Sequence, residues 1–96
     1  LQFAWDQQKN RSNLAKHRVS FMLATLIFDD PHVLSVPDSH VGEDRWVSIG
    51  LVSGVLILAV VHTIEEQDDE EIIRIISARK ATRQERKIYE EQLTKT

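Results

Sequence analysis

The apolar and polar positions of this chain change period along its length, and each change marks an element. Residues 2–5 (QFAW) predict a short first strand, whose alternation puts Phe3 and Trp5 on the same side. Asp6 is positioned to N-cap a helix running to about His17. Asn10, Asn13, Leu14 and His17 share one face of that helix with a single aliphatic among them, which predicts light packing. Lys16, His17 and Arg18 close it with potential cations, where the helix dipole favours positive charge. Ser20 reads as the cap of a second helix. Its run FMLATLIF is apolar nearly all round and predicts the most buried helix of the chain. Asp29, Asp30 and Pro31 end it.

The second half changes to strand periodicity. Residues 33–37 (VLSVP) form a candidate strand, and the polar DSHVGED that follows reads as an exposed loop. From Arg45 to Ser53 the pattern alternates: Val47, Ile49 and Leu51 are expected to face the core, leaving Trp46, Ser48 and Gly50 on a partly open face. Ser53-Gly54 fits a compact hairpin turn. Val55 to Val61 is apolar throughout, as a central strand covered on both faces would be. The apolar region 47–61 is shorter than the ~20 residues of a membrane helix and is broken by Gly50, Ser53 and Gly54, so it predicts a hairpin and no span. Glu65 to Glu71 carries six acids in seven residues and suits an extended, solvated hairpin loop; it lacks calcium-loop spacing. Ile72 to Ser77 is the last strand. Thr82 with Glu85 forms a capping box that starts the final helix. The order written from these segments is β-α-α-β-β-β-α: an α+β chain with a small antiparallel sheet packed with helices, one domain over residues 1–96.

Composition narrows the function classes. The chain is 42% apolar and 28% charged, which fits an ordinary globular core with a solvated surface. Without cysteine there are no disulfides, thiolate nucleophiles or thiolate zinc sites, and no signal-peptide pattern opens the sequence, so a cytoplasmic protein is expected. A net charge of −3 argues against a generic nucleic-acid coat, so any polyanion site must be local. One stretch supplies it: six of the twelve Lys and Arg residues fall between Arg74 and Lys87. In the last helix Arg83, Arg86 and Lys87 come early and Glu90 and Glu91 late, an order the helix dipole disfavours. That stretch is either the functional edge of the molecule or a solvated helix face.

Individual residues carry the candidate chemistry. His17 suits acid–base work, its ordinary pKa lying near neutrality, but would equally serve as a helix-terminal cation. Glu43, at a loop-to-strand junction, is a second candidate base or merely a solubilising carboxylate. Trp46 either stacks a base or packs as core. Plain alternation puts Arg74 and Arg79 on opposite faces of the last strand, so both reach one cleft only if the chain turns after Ser77, an exit that would favour Arg79. The four histidines have no ligand spacing, and no P-loop, dinucleotide fingerprint or Ser-His-Asp motif occurs; neither metal nor cofactor is expected.

FAWD, KN, LAKH and VSF near the start, FDDP at 28–31, EDRW at 43–46, IG at 49–50 and RIISARKAT with ER and YEE at 74–91 resemble the BrnT toxins of type II toxin–antitoxin systems. The resemblance covers nearly the whole chain. It implies a fold similar to RelE-type toxins and a metal-independent endoribonuclease that inhibits translation. It also implies neutralisation by a BrnA-like ribbon-helix-helix antitoxin, through which alone the complex would bind operator DNA; no membrane partner is implied. On that reading His17, Glu43 and Arg79 are the expected catalytic residues, and Lys16, Arg45, Trp46, Arg74, Lys80 and Arg83 the expected RNA contacts. Arg18 stands where the family usually has Gly, and Val55 where Arg is common. These departures leave a second expectation, a catalytically weak or inactive relative that acts as an antitoxin- or RNA-binding module.

Overall fold

The computed structural model describes residues 1–38 and 44–94. Strand β1 (Gln2–Ala4) leads into helix α1 (Gln7–His17) and a short helix α2 (Phe21–Ala24) that continues as a 3-10 helix over Thr25–Asp29. Strands β2 (Leu34–Asp38), β3 (Arg45–Val52), β4 (Leu56–Gln67) and β5 (Glu70–Lys80) follow, and helix α3 (Arg83–Leu93) ends the described chain. The sheet has the order β1-β5-β4-β3-β2. The α+β class holds, and all four strand segments expected after α2 form, one more than the order β-α-α-β-β-β-α counts. The sheet is also mixed, because β1 pairs parallel with β5 while the other neighbours pair antiparallel.

Local chemistry sets the helix starts as expected. Asp6 accepts from the backbone N–H groups of Gln8 and Lys9, Ser20 from Leu23, and Thr82 and Glu85 form the reciprocal capping box. Arg18 ends α1 in the left-handed conformation, φ 61°, the backbone that glycine adopts without a steric penalty. The second helix departs from its expected burial. Phe21, Ala24 and Ile27 are fully buried at a three-residue spacing that suits the 3.0-residue turn of a 3-10 helix, while Met22 is 65% exposed.

Each face of the sheet has its own core. On one face Leu58, Val60, Ile73, Ile75 and Ala78 meet Val19, Phe21, Ala24 and Ile27 from the α1–α2 side. On the other, Ile49 and Ala59 meet Tyr89 of α3. The two faces of β3 are therefore used differently from the expectation. Ser48 and Gly50 are buried on the α1–α2 side, whereas Val47 and Leu51 are only half-buried on the α3 side. Small residues are required there: a Cβ on Gly50 would lie 2.7 Å from the Ile27 Cβ.

Helix α1 docks by hydrogen bonds in place of an apolar stripe. The buried Asn13 carboxamide donates to the Val19 and Ala78 carbonyls at 2.8 and 2.7 Å and accepts from Ala78 N–H at 3.1 Å, taking the place of a strand partner beyond the end of β1. The acidic run is not a long loop. Glu65–Gln67 and Glu70–Glu71 are paired strand residues, and the turn is Asp68-Asp69, both at positive φ as a type I′ hairpin needs. Asp30 joins the layers, accepting from Leu51 N–H at 2.9 Å and from the Tyr89 hydroxyl.

Candidate active site

The last strand is not regular. Val61 pairs with Ser77 and His62 with Ile75, so Ile76 is an extra residue, a β-bulge. Arg74 is consequently opposite Thr63 and Arg79 opposite Ala59, four residues apart on β4, and both arginines face the α3 side. Arg45, also paired with Thr63, lies on the same face from β3. The expected turn after Ser77 does not occur, since β5 runs on to Lys80; the bulge at Ile76 brings the two arginines to one face instead.

Between these cations the surface is apolar. The row Val36, Val47, Val61 and Ser77 crosses the sheet, and Val36, Val47, Gln84 and Ile88 line a groove of about 370 Å3 beside α3. Arg79 is held in a fork: its Nη1 and Nη2 donate to Glu85 Oε1 and Oε2 at 2.6 and 3.1 Å. The Arg79 hydrogen bonds hold the Glu85 carboxyl below its ordinary range, and the guanidinium is raised in turn. Two of the five guanidinium N–H donors are used, which leaves three for a phosphate. Arg74 is oriented in the same way on the surface, its Nε donating to Glu65 Oε2 at 2.9 Å.

A second groove, of about 460 Å3, runs between α1 and β5 and is lined by Lys9, Ser12, Lys16, His17, Ile76 and Ser77. Lys16 and His17 have no ion-pair partner among the described residues. Ser77 belongs both to this groove and to the row between the arginines. It is the residue where His17 and Lys16 on one side and Arg74 and Arg79 on the other converge.

Trp46, Lys80 and Arg83, also expected at the site, lie elsewhere. Trp46 pairs with His62 and Lys80 with Leu58, positions on the face opposite the arginines. Arg83 lies along the outer side of α3 with Lys87 and Glu91. Glu43 falls outside the described residues. Ser77, Lys9 and Ser12 were not singled out by sequence; only the spacing Lys9, Ser12, Lys16 along one helix face signals them. His62 is buried, its Nε2 2.6 Å from Ser48 Oγ, which is 2.6 Å from Ser35 Oγ; burial holds it below its ordinary pKa and so in the neutral form.

Comparison with known proteins agrees with this fold. The family model described as "Ribonuclease toxin, BrnT, of type II toxin-antitoxin system" matches residues 5–85. The 1.1 Å crystal structure of the Brucella abortus ribonuclease toxin BrnT superposes with a TM-score of 0.64 at 26% identity, covering 86% of this chain and 99% of that one. No curated protein matches. The match runs from just after β1 to the start of α3 and includes the α1–β5 groove, and the chain belongs to the BrnT family of ribonuclease toxins.

Proposed function

We propose that this chain is a metal-independent endoribonuclease toxin that blocks translation by cutting RNA. The observation that carries the reading is the convergence on Ser77 of the His17–Lys16 groove and the Arg74–Arg79 face. His17 takes the proton of a ribose 2′-OH. The oxygen then attacks the adjacent phosphorus, a 2′,3′-cyclic phosphate forms and the 5′-oxygen leaves with a proton from a general acid, a role that fits Glu43. Lys16, Arg74 and Arg79 hold the phosphate and stabilise the charge that builds on it. Arg45 extends the cationic face along the strand.

The neutralising partner is an antitoxin of the BrnA-like, ribbon-helix-helix kind, and it covers the arginine face, since one contact then both excludes RNA and satisfies the charge. A second reading, a binding module without cleavage, is favoured by one observation: Glu85 already offsets the charge of Arg79.

The test is incubation of the antitoxin-free chain with total RNA in EDTA, beside the His17→Ala and Arg79→Ala variants, each checked for folding by circular dichroism. Cleavage by the wild type alone is the expected result. Cleavage by all three removes the residue assignment. RNA binding without cleavage by any of them favours the binding module.

A further inference from the structure

We infer that the α1–β5 groove is a second phosphate-binding subsite, in which Lys9 and Ser12 hold the RNA strand beyond the scissile phosphate; the inference rests on the ribonuclease reading. Lys9, Ser12 and Lys16 stand at i, i+3 and i+7 on α1, so they share the face that lines the groove. Lys9 and Lys16 are about 10 Å apart along the axis at 1.5 Å per residue, far enough to engage different phosphates of one strand. Neither ammonium has an ion-pair partner among the described residues, and the hydroxyls of Ser12 and Ser77 have no hydrogen-bond partner there.

The groove therefore offers cations and hydroxyl donors in a line, the combination that grips a nucleic-acid backbone without reading its bases. Its one carboxylate, Asp6, is tied to the backbone N–H groups of Gln8 and Lys9 as the helix cap. Because Ser77 joins this groove to the arginine face, a strand clamped by Arg74 and Arg79 continues along α1 and does not leave the protein at the cut.

Arg11 supplies the control, as an exposed cation of the same helix that does not line the groove. Binding of a short and a long single-stranded 2′-O-methyl RNA, which cannot be cut through the blocked 2′-oxygen, is measured by fluorescence anisotropy across a salt series. For the long RNA the Lys9→Ala variant should lose affinity and lower the salt slope by about 0.7, the share of one phosphate contact on a single strand. Lys9→Arg should restore both, and Arg11→Ala should resemble the wild type. Equal losses in Lys9→Ala and Arg11→Ala would overturn the subsite and leave the ribonuclease reading standing. Failure of the wild type to bind either RNA would overturn both.

Discussion

Arg74 and Arg79 are five residues apart on β5 yet face the same side of the sheet, because Ile76 is accommodated as a bulge between them. A regular strand would place residues five apart on opposite faces. The bulge is thus a device that aims two guanidinium groups at one surface, and bulges are frequent beside active sites for this reason.

Deleting Ile76 should therefore be tolerated. The ladder closes with Arg74 still opposite Thr63 and Arg79 still opposite Ala59, at a loss of ~1–2 kcal/mol for the half-buried side chain. Deleting Val60 from unbulged β4 shifts one half of the strand by a residue, turns its apolar set to the wrong face and should prevent folding. Thermal melts followed by circular dichroism separate the two; equal damage from both deletions would refute the bulge.

Glu85 serves two partners, the Thr82 backbone in the capping box and the Arg79 fork. Glu85→Ala should cost about 1–2 kcal/mol by loss of the cap and the charged hydrogen bonds. The folded-state pKa lies below the ordinary 4.5, chiefly through the Arg79 hydrogen bonds. The contribution is therefore full above that value and disappears as pH falls through the depressed pKa. Urea midpoints of wild type and variant should converge in acid.

His62 works in the same direction at higher pH. The unfolded imidazole takes up a proton near 6.5, whereas the buried one resists it. Stability from neutral His62 is present above that value and is lost as pH falls below it. Between about pH 7 and 5 the wild type should weaken more steeply than His62→Gln, which has no proton to gain there. Parallel profiles in denaturant titrations would remove His62 as the cause.

Arg18 holds a left-handed backbone that costs an L-residue about 1–2 kcal/mol. Arg18→Gly relieves this and gives back part through the freer unfolded chain, so a net gain of about 0.5–1 kcal/mol is expected in equilibrium unfolding.

The elements set by local chemistry were legible before the structure: the caps at Asp6, Ser20 and Thr82, the strand from Arg45, and the turn at Ser53-Gly54, which also takes in the exposed Val55 expected to open the next strand. The two routes to the site were less legible, for different physical reasons. Alternation assumes an even ladder, so it placed Arg74 and Arg79 apart; a bulge is a property of two paired strands and leaves no mark on one of them. Apolarity misread β3, where Gly50 is buried because it is small enough to admit Ile27, and Ser48 because its hydroxyl is bonded to Ser35 and His62. The docking of α1 escaped an apolar count altogether, since Asn13 holds it by hydrogen bonds to Val19 and Ala78.

The bond from the Tyr89 hydroxyl to Asp30 has a consequence for how the molecule comes apart. Asp30 also receives Leu51 N–H, so one carboxylate grips the C-terminal helix on one face and follows directly from the 3-10 helix on the other. The two half-cores touch different sides of the sheet but share strand β4, with Leu58 and Val60 facing one and Ala59 the other. Linked also through Asp30, they are expected to unfold as one cooperative unit. The arginine face consequently keeps its shape for as long as the histidine groove does, and the two halves of the site are lost in a single transition.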